Sequence, residues 1–242
     1  MTADRLLHSK SLSHSPSQGD AEQPLVIIVD DDTSVREALS DLVASAGFAS
    51  VSFASTGELL ESDLLDRPGC LILDVRMPGT SGLDLQNHLA QAGNPKPIIF
   101  LTGHGDIPMT VQAMKAGAVD FLTKPVRDQT LLDAVVSGIA ADAIRRRKNS
   151  TMKCNVQRFE TLTKRERDVL YAVANGRLNK QIAFDLGISE VTVKMHRSNA
   201  MRKMEARSLG DFVRIWQTLP DSMRVNQNTV NGFDNRNIIV NQ

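Results

Sequence analysis

A parallel α/β sheet covered on both faces, followed by a smaller all-α module, is the architecture this sequence predicts. Three observations lead there. Five short apolar runs alternate with helical patterns between Leu25 and about Arg147, and such alternation builds right-handed βαβ crossovers. Several runs end in chemistry, at Asp30, Asp74, Thr102 and Lys124, and open parallel sheets place ligand sites at the carboxyl ends of their strands. Beyond about residue 158 the pattern becomes short capped helices, and the charge changes sign.

Residues 1–23 are rich in Ser, His and Gln with no apolar period, so a disordered tail is expected. Leu25 to Val29 is a β-rich run that ends in Asp30-Asp31-Asp32. Thr33 or Ser34 can cap a helix whose stripe is Val35, Leu39, Leu42 and Val43 and which stops at Gly47. Val51 and Phe53 mark a second strand, and a helix is expected over 57–65. Gly69 to Leu73 is an apolar run bounded by Gly and turn residues, which predicts a strand buried on both faces. Its end, Asp74, taken alone also fits a turn. A helix from 82 to 92 follows, then a strand over 97–101 ending at Thr102. A helix over 108–116, a short strand over 119–122, the break at Lys124-Pro125 and a helix from Asp128 into Arg145-Arg146-Arg147 close the first module. Residues 146–158 lack an apolar period and predict a linker. Thr163 and Glu166 make a capping box behind Leu162. Helices are expected to Gly176, over 180–186 from an Asn179 cap, from Ser189 to about Glu205, and over 209–216. Gly187-Ile188-Ser189 joins the middle two as a helix-turn-helix. The Asn-rich end after Pro220 is expected to fray.

At 242 residues, 41% apolar and 23% charged, the composition is that of an ordinary globular protein of one or two domains. No apolar run approaches the roughly 18 residues of a membrane span, and Leu6-Leu7 is too short for a secretory core. Two cysteines exclude a disulfide framework and a Cys-rich metal site. Cys70 is expected to be a small core residue, and a reducing cytoplasm is the simplest home. The net charge of zero conceals a partition, with residues 24–140 at −8 and residues 141–219 at +9. A basic small module points to nucleic acid.

Asp30, Asp31 and Asp74 converging at one sheet edge would repel one another without a cation among them. Mg²⁺ suits such a site, because it takes carboxylates, a backbone carbonyl and waters and leaves room for phosphate oxygens. An aspartate can act as a nucleophile and form an acyl phosphate. Lys124 and Thr102 would offer donors to a phosphoryl group. His104 has no partner at metal-ligand spacing and is expected in a loop, and Asp32 is expected to be solvated.

The acidic pair, Leu71-Ile-Leu-Asp74-Val-Arg-Met-Pro-Gly, Leu101-Thr102-Gly103 and Phe121-Leu-Thr-Lys124-Pro125 resemble the receiver domain of two-component response regulators. The resemblance implies a flavodoxin-like (βα)5 sheet of order 2-1-3-4-5 over residues 24–143. It implies that Asp74 is the phosphoacceptor and that Asp30 and Asp31 bind Mg²⁺ with Asp74 and the Arg76 carbonyl. Thr102 and Lys124 would contact the phosphoryl group, Phe121 would be an aromatic switch, and the Lys124-Pro125 bond would be cis. Asp30-Asp31-Asp32-Thr33 also looks like the opening of haloacid-dehalogenase-type phosphohydrolases, but that family's later acidic pair is missing and Asp74 would go unexplained.

In the basic module, Val193, His196 or Arg197, Ala200 and Met204 should face the core. Lys194, Met195, Ser198 and Arg202 fall on the other face, where a helix can enter the DNA major groove. Lys180 would reach a backbone phosphate. Leu162-Thr-Lys-Arg-Glu166, Gly176-Arg-Leu-Asn179-Lys-Gln-Ile-Ala183 and Ser189-Glu-Val-Thr-Val-Lys-Met-His196 resemble the LuxR-type helix-turn-helix, expected over 159–219 behind a linker at 144–158 and before a tail at 220–242. Together the modules resemble the NarL/FixJ class, nearest to FixJ-like regulators. That resemblance implies a cytoplasmic regulator that is not an enzyme, phosphorylated by a sensor histidine kinase. It would dimerise through the 107–122 surface, including Val111 and Lys115, and would bind double-stranded promoter DNA and RNA polymerase. The alternative is a constitutive DNA-binding protein with a non-signalling receiver.

Overall fold

The structure, a computed structural model, describes residues 23–103 and 105–225. Residues 1–22 of the expected N-terminal tail, His104 and residues 226–242 lie outside the described residues. The chain divides into two compact units between Ala143 and Ile144.

The first unit is a five-stranded parallel sheet of β1 (Leu25–Val29), β2 (Ala49–Phe53), β3 (Gly69–Leu73), β4 (Ile98–Thr102) and β5 (Asp120–Thr123), in the order β2-β1-β3-β4-β5. Its helices are α1 (Thr33–Ser45), α2 (Thr56–Leu60), α3 (Gly82–Gln91), α4 (Ile107–Lys115) and α5 (Asp128–Glu160). Every residue of β1, β3 and β4 is buried, as a sheet covered on both faces requires. The two-residue period splits their side chains. Ile27, Val29, Leu71, Leu73 and Phe100 pack with Leu85 and Leu89 of α3 and Ala113 of α4. Val26, Ile28, Cys70, Ile72 and Ile99 pack with Leu39 and Val43 of α1 and Leu131 and Val135 of α5. Burial pushes the Cys70 thiol up to about 12, so it is an inert core group. Gly69 opens β3 at φ +130, and a Cβ there would stand 1.9 Å from the Leu25 carbonyl oxygen. Its amide donates to the buried Asp142 carboxylate of α5 at 2.9 Å, which ties that helix to the start of the central strand.

Several expectations shift. Asp32 is exposed, as expected, but it and not Thr33 or Ser34 caps α1, with Oδ1 accepting from Ser34 N at 2.8 Å and Val35 N at 3.4 Å. The helix expected over 57–65 is the short α2 followed by a 3-10 turn at Asp63–Asp66, interrupted where the Ser62 hydroxyl caps that turn. The expected linker at 144–158 is helical, because α5 runs unbroken to Glu160. Arg145 to Lys148, Met152, Lys153 and Gln157 favour helix without needing an apolar stripe, and helices polar all round occur where solvent surrounds a connection.

In the second unit, α6 (Lys164–Ala174), α7 (Asn179–Leu186), α8 (Glu190–Lys203), α9 (Leu209–Thr218) and α10 (Asp221–Arg224) follow α5. Their core gathers Phe159, Leu170, Ile182, Val193, Ala200, Met204 and Phe212. The residues after Pro220 do not fray at once: α10 is ordered, and Tyr171 Oη donates to the Met223 carbonyl at 2.8 Å. Asn179 is the first residue of α7 rather than its cap. Its Oδ1 accepts from Arg197 at 3.0 Å, so Arg197 ties α8 to α7. Ser189 caps α8, and Gly187 closes α7 at φ +64. The Thr163–Glu166 capping box is present, and the buried Glu166 carboxylate also meets Lys203 Nζ at 2.7 Å. Burial pushes the Glu166 carboxyl up, but the Lys203 and Thr163 hydrogen bonds outweigh it and hold it below the usual range.

Glu166→Gln should therefore destabilise this unit by about 1–3 kcal/mol. The fluorescence of Trp216, the chain's one tryptophan, packed against this core, reads that loss. A depressed carboxyl contributes stability above its unfolded pKa and loses it as pH falls through the folded value. The variant should accordingly lose less stability on acidification than the native chain.

Candidate functional site

Parallel packing brings the ends of β1, β3, β4 and β5 to one edge. Asp30 and Asp74 follow β1 and β3 directly and are 2% and 8% exposed, while Asp31 is open to solvent. One carboxylate oxygen from each of Asp30, Asp31 and Asp74 lies within 4.8 Å of the others. Lys124, just past β5, reaches across β4 and β3. Its Nζ stands 2.5 Å from Asp30 Oδ2 and 3.1 Å from Asp74 Oδ2. Burial alone would lower the Lys124 pKa, but hydrogen bonds to Asp30 and Asp74 and their charges outweigh it and hold the ammonium above the usual lysine value. Thr102 is buried at the end of β4, and its carbonyl accepts from Lys124 N at 2.8 Å. The Lys124-Pro125 bond is cis.

The second oxygens are also held. Asp30 Oδ1 accepts from Asp32 N at 3.0 Å, and Asp74 Oδ1 from Arg76 N at 3.1 Å. Arg76 therefore contacts Asp74 through its amide. Two contributors went unseen in the sequence. Arg36 Nη1 donates to the Asp30 carbonyl at 2.7 Å; it sits within the first turn of α1, where a basic residue looks like ordinary surface. Gly82 at the start of α3 lies so close that a Cβ would come 2.4 Å from the Asp74 carbonyl oxygen. Three carboxylates against one ammonium leave an excess of two negative charges. Hard oxygen donors with that excess fit a divalent cation such as Mg²⁺.

Phe121 is half-buried, its ring 5.9 Å from that of Phe100. On α4, Val111 and Lys115 are exposed together with Ile107 and Met114. In the second unit Lys180, Lys194, Met195, Ser198 and Arg202 are all exposed, and Val193, Ala200 and Met204 are buried behind the last four. Val191, at the start of α8 and in helical step with Lys194, Met195, Ser198 and Arg202, is also 76% exposed.

A five-stranded parallel sheet of this order, with three acids, a threonine and a lysine at one edge, defines a receiver-type α/β domain. Residues 26–136 match the response regulator receiver domain family, and residues 160–216 match the LuxR family of bacterial regulatory proteins. Nodulation protein W of Bradyrhizobium diazoefficiens is 52% identical over 195 residues, covering 81% of this chain and 86% of that protein. The transcriptional regulatory protein FixJ of Azorhizobium caulinodans is 44% identical over 191 residues, 78% of this chain and 90% of its own length. The solved structure of the response regulator StyR is 49% identical, with a TM-score of 0.69, and covers 81% of this chain and 98% of its own. The chain belongs to the two-component response regulators that join a receiver domain to a LuxR-type helix-turn-helix, the class that includes FixJ. It is a transcriptional regulator of a two-component system, with DNA binding in its second domain. Among the described residues no helix is long and apolar enough to cross a membrane.

Lys124→Ala leaves the buried Asp30 and Asp74 carboxylates facing each other. In magnesium-free buffer this should lower the urea stability of the α/β unit by about 1–3 kcal/mol, less than for a fully buried pair because the ammonium is partly solvated. Circular dichroism during urea unfolding measures it.

Proposed function

We propose that Asp74 is the residue that receives a phosphoryl group from a sensor histidine kinase, and that the receiver of residues 24–143 thereby controls the DNA-binding unit of residues 159–219. The observation that carries this is the Asp74 carboxylate at the sheet edge, hydrogen-bonded to Lys124 at 3.1 Å beside Asp30 and Asp31. In the transfer an Asp74 carboxylate oxygen forms a bond to phosphorus while the bond from phosphorus to the kinase's histidine nitrogen breaks. The leaving imidazole takes up a proton from solvent. Asp30, Asp31, Asp74 and the Arg76 carbonyl would hold Mg²⁺, which when bound neutralises charge on the phosphoryl oxygens. Lys124, already paired with Asp74, would transfer a donor to the phosphoryl group, and the Thr102 hydroxyl would supply another.

Phosphorylation adds charge at one point, and a two-state surface must convert it into a signal. Phe121, on β5 three residues before Lys124, packs in the cluster that holds Ala113 and Met109 of α4, which supports its reading as the switch. The exposed α4 face with Val111 and Lys115 would then pair with the same face of a second copy, bringing two helix-turn-helix units onto adjacent half-sites. On DNA, Lys194, Met195, Ser198 and Arg202 would face the major groove and Lys180 a phosphate. Contact with RNA polymerase in the cytoplasm completes the proposal.

Acetyl phosphate with Mg²⁺ should label the protein at one site by mass spectrometry, and Asp74→Asn should abolish that label. Persistent labelling would move the acceptor elsewhere. Lys194→Ala should weaken binding to a selected operator by about 5- to 150-fold in a titration at fixed salt, the range for losing a base contact. Unchanged affinity would place the reading surface on another helix.

A further inference from the structure

The loop from β4 to α4 meets the Phe121 ring at a glycine. A Cβ on Gly105 would come 2.8 Å from Phe121 Cε1, 3.4 Å from Cζ and 3.4 Å from Thr123 Cγ2. Carbon atoms do not approach to 2.8 Å without displacement, since their contact optimum is about 3.5–4.0 Å. Backbone conformation does not explain the glycine, because Gly105 is outside the left-handed set that holds Gly93 and Gly117. Two residues earlier, a Cβ on Gly103 would meet no atom within 4 Å. The room left at Gly105 is thus taken by two side chains, of which only the Phe121 ring comes closer than 3.4 Å. Phe121 is half-buried, stands in register with Phe100 across the β4–β5 ladder, and stacks at a tilt against its ring. The Phe121 ring edge is the free end of a side chain with two torsions, so it yields before the strand backbone does.

We propose that Gly105 is a positioning residue that seats the Phe121 ring in one of its two switch positions. This rests on the reading of Phe121 as the switch. A methyl group at Gly105 removes the seat and leaves the ring in its other position whatever the state of Asp74. The substitution is aimed at the ring and not at the Asp74 site, because the atoms nearest a Cβ on Gly105 belong to Phe121 and Thr123. Coupling, rather than phosphorylation, is what the substitution should destroy.

The test uses the full chain and analytical ultracentrifugation with and without acetyl phosphate and Mg²⁺. The quantity read is the ratio of dimerisation constants in the two states. The native ratio should lie in the usual allosteric range of about 5- to 150-fold. Gly105→Ala should bring it to within about twofold of one, with phosphoryl incorporation at Asp74 retained. In a Phe121→Leu background, which removes the colliding ring edge, adding Gly105→Ala should change nothing further. A ratio unaltered in Gly105→Ala overturns the proposal. So does an equal loss in the Phe121→Leu background, which would assign the effect to the loop backbone, and so does failure of Gly105→Ala to incorporate phosphate. A native chain that incorporates phosphate yet shows a ratio of one overturns the switch reading and this proposal together. Absence of incorporation in the native chain instead strikes at Asp74 as the acceptor.

Discussion

One ammonium ties the site together. Lys124, arriving from the end of β5, reaches carboxylates at the ends of β1 and β3 at 2.5 and 3.1 Å. Asp30 and Asp74 are almost wholly buried, and a buried carboxylate without a countercharge is costly. The sheet can bring them together because the lysine stands between them. The remaining negative charge suits a divalent cation, and the lysine is already within reach of any group bonded to Asp74. Stability and chemistry at this edge therefore depend on the same contact. The rest of the domain holds the strand ends in register: Gly69 lets β3 start flush against β1, and Asp142 anchors α5 to that start.

What the sequence revealed and what it hid follow from how each feature is encoded. Asp30, Asp74, Thr102 and Lys124 were legible because each directly follows an apolar run or closes it, so the strand positions the residue. The helix faces of the second unit were legible from period alone, and Val193, Ala200 and Met204 are buried as that period requires. Long-range geometry was not legible. Arg36 looks like a surface charge until α1 places it over the Asp30 carbonyl. Gly82 and Gly105 look like ordinary loop or cap glycines until the Asp74 backbone and the Phe121 ring are seen against them. The helical course of residues 144–158 was missed because an apolar stripe was required as the signal. That stretch is held by propensity and continuity with α5, and its end becomes amphipathic only at Asn155, Val156 and Phe159, where it joins the second core. The α1 cap was assigned to Thr33 or Ser34 rather than Asp32 for a simpler reason, since three consecutive acids cannot be divided between site and cap without the helix start.

The division of charge gains a physical meaning from this arrangement. The acidic unit gathers carboxylates at one strand edge, where the proposed cation and phosphoryl group would be held, and the basic unit exposes lysine and arginine on a face suited to DNA phosphates and base edges. On the proposed reading, a phosphoryl group on Asp74 would alter the charge at one strand end, and Phe121, in the cluster that holds Ala113 and Met109 of α4, would relay that change to the exposed α4 face.

On the proposed function, the state of Asp74 governs DNA binding. The most direct measurement of this is the affinity of the full chain for a selected promoter fragment, titrated at constant salt before and after treatment with acetyl phosphate and Mg²⁺, beside Asp74→Asn handled identically. The account predicts tighter binding by the phosphorylated native chain and no change in the variant. Equal affinity in both states of the native chain, with Asp74 demonstrably phosphorylated, would contradict it and would leave a constitutive DNA-binding protein with a receiver that does not signal.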